Sequence, residues 1–110
     1  MRIAIKQGDT RHAIRATLKT LEGIPIDLSG ASIIFKMSNR HVGTLIEREA
    51  VYEIDGKVHF VFQGGETENA GMYDAEFEVT YKDGRVETFP HSGKIQVYIE
   101  KKIGGVINGV

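Results

Sequence analysis

Three observations in the sequence predict an all-β protein, an immunoglobulin-like antiparallel β-sandwich of about seven strands. Apolar and polar residues alternate with period two over most of the chain, Asp-Gly pairs join two sets of such runs, and no segment carries a long helical repeat. The chain has 110 residues, which suits one domain with one core. A domain of this length buries roughly two-thirds of the surface its unfolded form exposes, so folding is feasible without metal or disulfide staples. Residues 1–102 are assigned to the sandwich and residues 103–110 to an apolar, Gly-containing tail.

The elements follow in order. Met1 to Gln7 alternates briefly, and its Arg2–Lys6 stretch can pair either within the monomer or across subunits. His12 to Leu21 turns Ile14, Ala16 and Leu18 inward and ends at Gly23–Pro25; Ala31 to Ser38 does the same with Ile33, Phe35 and Met37. Asp55-Gly56 joins Ala50–Ile54 to Lys57–Gln63 as a hairpin, with Val58, Phe60 and Phe62 on one side. Met72 to Tyr81 is the clearest strand, because Tyr73, Ala75, Phe77, Val79 and Tyr81 share one face and Asp74, Glu76, Glu78 and Thr80 the other. Asp83-Gly84 reads as a two-residue primed turn leading to Arg85–Phe89. Pro90 ends that segment because it cannot donate to a ladder, and Lys94–Glu100 presents Ile95, Val97 and Ile99. Loops are expected at Asn39–Thr44, Gln63–Gly71 and Pro90–Gly93, with at most one helical turn over Gly65–Ala70.

Composition narrows the function. Net charge is -1 with both signs interspersed, so no basic surface is drawn to phosphate backbones and no nucleic-acid partner is expected. No run of about 18 apolar residues exists to span a membrane, and no signal peptide is apparent. The absence of Cys excludes disulfides, thiolate nucleophiles and Cys-based zinc sites.

One constellation bears on the fold. In Asn69-Ala70-Gly71-Met72-Tyr73-Asp74-Ala75, a Tyr stands two positions before an inward site, as at the corner that opens strand F of immunoglobulin domains. Tyr73 and Gly71 are therefore the candidate structural corner. The plainer reading makes Tyr73 an inward aromatic of that strand.

With those residues placed, the chain resembles the N-terminal domain of the phage baseplate upper protein family of tailed phages and prophages of Gram-positive bacteria. The carriers are Gly8-Asp9-Thr10, the run Ile26-Asp27-Leu28-Ser29-Gly30-Ala31 leading into Ile33–Met37, then Gly71–Tyr81, Asp83–Pro90 and Gly93. The resemblance spans about Gly8 to Ile99. It implies an immunoglobulin-like domain that attaches a longer assembly to the tail core in several copies, without catalytic residues. The family continues into a stalk where this chain stops at Val110. The expected role is a non-enzymatic virion structural protein, a homo-oligomer contacting other tail or baseplate proteins, located in the virion and, during assembly, in the bacterial host cytoplasm. A carbohydrate-binding module in host-surface adhesion is the alternative, although the chain has no Trp and most of its Phe and Tyr fall on inward positions.

No catalytic, metal or cofactor site is expected. His12, His41, His59 and His91 are scattered without metal-ligand spacing. The serines lack a nucleophile elbow, and His91 beside Ser92 does not align a base with a nucleophile. Asp74, Glu76 and Glu78 repeat about 6.6 to 7 Å apart on one strand face, which suits a solvated face opposed by Lys and Arg. Asp27, Asp55 and Asp83 sit at turns without a calcium-binding ligand ladder. Ile103, Val106, Ile107 and Val110 are expected to pack on a neighbour, since a closed sandwich leaves their apolar area in water. Together with Ile3 and Ile5, they form the candidate subunit interface.

Overall fold

The computed structural model describes residues 1–41 and 43–103. Among them there is no helix, and nine strands form two sheets packed face to face. The strands are β1 Arg2–Lys6, β2 Ala13–Thr17, β3 Ser32–Asn39, β4 Gly43–Glu49, β5 Val51–Tyr52, β6 Lys57–Val61, β7 Gly71–Thr80, β8 Val86–Phe89 and β9 Ile95–Glu100. The larger sheet runs β1-β9-β7-β3-β4, with β8 also against β7, and the smaller runs β2-β6-β5. This is the two-sheet division of the immunoglobulin sandwich.

The alternation seen in the sequence becomes the core. Ile14, Leu18, Ile33, Phe35, Met37, Val58, Phe60 and Phe62 are all buried, as are Tyr73, Ala75, Phe77, Val79, Ile95, Val97 and Ile99. At the centre, Phe35 of β3 stacks on Phe60 of β6 with centroids 4.2 Å apart. Phe62 meets both rings edge-on, and Phe77 meets Phe35. The sheets are thus joined by aromatic contacts that add to area burial.

Several expectations change. There are nine strands rather than about seven; the clearest addition is β4, whose first residues fall in the segment expected to be an Asn39–Thr44 loop. Its inward row contains Arg48 beside Ile46, and a charge in an inward row hides the alternation. The sandwich is not wholly antiparallel, since β1 lies parallel to β9. That pairing answers the question of the N-terminal stretch in favour of the monomer: Ile5 is 3% exposed within this chain's core and Ile3 packs against that core. Neither of these two side chains is left as an exposed subunit interface.

The Asp83-Gly84 connection is a three-residue loop rather than a two-residue primed turn. Gly84 donates to the Tyr81 carbonyl, Tyr81 pairs with Arg85, and only Gly84 of the pair has positive φ, +88°. The primed geometry is realised at Asp55-Gly56, where both residues have positive φ, 57° and 74°. Strands β8 and β9 lie end to end along one edge of β7: Phe89 is opposite Phe77 and Ile95 is opposite Ala75. The five residues 90–94 bulge out between them.

Candidate partner-binding surfaces

Strand direction divides the loops between two ends of the sandwich. At one end the chain crosses between sheets through residues 7–12 and 62–70; at the other lie residues 18–31, 53–56 and 81–85.

The crossing-loop end is held by side chains. Tyr73, 4% exposed, donates its hydroxyl to the Asn69 carbonyl at 2.6 Å, which makes the predicted corner with Gly71 at φ +150°. Burial pushes the Tyr73 phenol pKa up. Thr67 is fully buried; its Oγ1 donates to the Asp9 carbonyl at 2.9 Å, and its carbonyl accepts from Gly8 N–H. Gln7 Nε2 donates to the Glu68 carbonyl at 2.6 Å. Arg48 reaches from β4 to Glu66 in a two-point contact of 2.9 and 2.7 Å, donates to the Val61 carbonyl at 2.7 Å, and lies 4.2 Å over the Phe60 ring. Burial works to raise the Glu66 pKa, but hydrogen bonds from Arg48 and the Gln63 N–H outweigh it and hold the carboxyl below its ordinary value. Sequence reasoning did not single out Arg48, Glu66 or Thr67. The only available signal was an arginine that breaks an alternating row.

Other titratable groups form ion pairs and two linked sets, Arg15–Glu53–His59 and Tyr81–Glu87–His91. On the outer face of the larger sheet, Lys36 of β3 bridges to Glu78 at 3.1 Å and Lys94, just before β9, to Asp74 at 3.0 Å, so two members of the acidic row face a cation from a neighbouring segment. The hydrogen bond with Glu78 raises the Lys36 pKa. His59 meets Glu53 at 2.9 Å, and His91 meets Glu87 at 2.6 Å. Glu87 also accepts from the Tyr81 hydroxyl at 2.6 Å. Burial, then that carboxylate, push the Tyr81 phenol up to about 12. Ser92 makes no hydrogen bond with His91 among the described residues, and no group of three or more His, Asp or Glu is placed to hold a metal there.

Three surfaces could engage a partner. The first comprises the outer edges of β1 and β4, the two terminal strands of the larger sheet. The second is a groove of roughly 810 Å³ between the edge of β2 and the 90–94 bulge, with Leu18, Val58, Phe89 and Ile95 in its walls and Arg15 and His91 on its polar side. The third comprises the exposed side chains Leu21, Ile24 and Ile54 at the turn end. Ile103 is 92% exposed, whereas Val106, Ile107 and Val110 lie outside the described residues.

No family model matches the chain, and no curated protein matches it. Among solved structures it is similar to the crystal structure of CopC from Methylosinus trichosporium OB3b, with a TM-score of 0.54 and 13% identity over 91% of this chain and 84% of that one. At that identity the likeness concerns the fold alone. It agrees with the two packed sheets: this chain is an immunoglobulin-like β-sandwich.

Proposed function

We propose that this chain is a non-enzymatic structural protein of a phage or prophage virion, a tail or baseplate component that attaches subunits to one another. The supporting observation is the division of its chemistry. Its side-chain hydrogen bonds and ion pairs form surface pairs, two short linked sets and loop ties, whereas strand edges, a groove and apolar turn residues are exposed. An open edge accepts a strand from another chain, which is a common route to attachment. The ordered motifs from Gly8 to Ile99 supply the phage context, with the virion as location and the host cytoplasm as the place of assembly.

The groove beside β2 favours a second reading, a carbohydrate-binding module in host-surface adhesion. Against it, all five Phe are buried, so none forms an exposed stacking platform. Mass spectrometry of purified particles separates the two. The structural reading expects the chain at a fixed stoichiometry in the particle. A chain absent from particles that binds a glycan array as a monomer would establish the alternative.

A further inference from the structure

We infer that the two edges of the larger sheet are complementary to each other, so that β4 of one copy pairs antiparallel with β1 of a second copy and extends the sheet from subunit to subunit. This deepens the attachment reading and rests on it, by naming the partner as the chain itself.

Direction comes first. Strand β1 is parallel to β9, and three antiparallel steps lead from β9 through β7 and β3 to β4. Strand β4 therefore runs opposite to β1. When copies are placed side by side in the same orientation, the meeting edges form an antiparallel ladder.

Backbone groups are available on both edges. Gln96 N–H donates to the Met1 carbonyl and Gln7 N–H to the Glu100 carbonyl, so the odd residues of β1 face β9. The backbone groups of Arg2 and Ala4, and the N–H of Lys6, point away from the sheet; the Lys6 carbonyl accepts from Asp9. On β4, Ala50 N–H donates to the Ile33 carbonyl, which sets Arg48 and Ile46 toward β3 and turns the backbone of Glu47 and Glu49 outward.

Charge supplies the specificity. The exposed residues on the β1 edge are Arg2, Ala4 and Lys6, and those on the β4 edge include Glu47 and Glu49. Pairing β1 with β1 sets cations against cations, and β4 with β4 sets Glu against Glu. Only the unlike combination is attractive, so charges that suppress self-pairing of each edge select the other. A register with Glu49 opposite Arg2 puts Ala4 opposite Glu47 and Lys6 diagonal to it. Because the joined surfaces differ, the contact is head-to-tail and generates a ring if the rotation closes or a filament if it does not.

The test is sedimentation of the full chain over a range of concentrations, using Glu47→Lys/Glu49→Lys and Arg2→Glu/Lys6→Glu, with far-UV circular dichroism to verify folding. The wild type is expected to self-associate, and each variant alone to associate at least about tenfold more weakly. An equimolar mixture of the two variants is expected to recover assembly, since each acidic edge then meets a basic one. Ala4→Pro is the charge-neutral control: it removes an outward N–H, is compatible with an edge strand, and is expected to block assembly. A monomeric wild type, unchanged association in either double variant, or a mixture that stays monomeric would overturn edge pairing. The particle assay is separate: a chain present in particles but monomeric in solution refutes only this inference, and one that assembles through its edges but is absent from particles refutes only the virion reading.

Discussion

The two ends of this sandwich are held together by different means. At the crossing-loop end, side chains tie the loops to backbone or charge: Tyr73 to Asn69, Thr67 to Asp9, and Arg48 to Glu66 and Val61. At the turn end, the ties between separate loops are backbone to backbone, and the side-chain bonds of Thr20, Asp27 and Asp83 stay within their own turns. Leu18 N–H donates to the Gly56 carbonyl, Ile26 N–H to the Leu18 carbonyl, and Thr20 N–H to the Ile24 carbonyl. Side chains at the first end are consequently committed to the fold, whereas Leu21, Ile24 and Ile54 at the second are left in solvent. An end organised by its backbone can vary its side chains for a partner, as antibody domains do with loops at one end of the same architecture.

The sharpest break of this contrast is Gly56→Ala. Its φ is +74°, and an added Cβ would lie 2.5 Å from the Leu18 carbonyl oxygen, so the backbone contact itself must open. Positive φ costs a non-Gly residue roughly 1–2 kcal/mol, and the displacement adds to it, for an expected loss of about 3 kcal/mol in a urea melt. A neutral result there would remove the backbone account of the turn end.

Arg48→Ala comes next. Arg48 and Glu66 retain 30% and 18% side-chain exposure, so the loss should fall below the 3–5 kcal/mol of a fully buried pair, at about 2 kcal/mol at neutral pH. The sign of its pH dependence follows from Glu66. The folded pKa lies below the ordinary 4.5, so the stabilisation is complete above that value and is lost as pH falls through the folded one. Melts from pH 7 to 3 should show the gap between wild type and variant narrowing only at the acidic end.

Thr67→Val and Tyr73→Phe remove one hydroxyl each and leave a backbone carbonyl without its donor. Each should cost about 1–1.5 kcal/mol, with hydrogen exchange rising in residues 62–70 and remaining unchanged in 18–31. The smallest effect belongs to Leu21→Ser and Ile54→Ser, expected to change stability by less than about 0.5 kcal/mol because both side chains are already in water. A larger loss would mean that the turn end also relies on its side chains.

Legibility in the sequence follows the range of the interactions. Strands β3, β6, β7 and β9 and their inward rows were readable because period two is a local property of a half-buried strand. The Tyr73 corner was readable because its acceptor is four residues away. Strand β4 was hidden by Arg48, whose inward position makes sense only beside Glu66 in a later loop. The Asp83-Gly84 connection was read one residue too short, since composition alone does not distinguish a two-residue primed turn from a three-residue loop ending in a left-handed Gly.

By itself, the amino-acid sequence determined the sheet class, most of the core and the corner, because each depends on spacing within a few residues. Tertiary structure alone decided that β1 lies parallel to β9, that Thr67 closes on Asp9 across 58 residues, and that a basic edge and an acidic edge end up on opposite sides of one sheet. The physical reason is that strand pairing joins residues without regard to their separation along the chain, so which edges stay open is settled only when every other strand has found its neighbour.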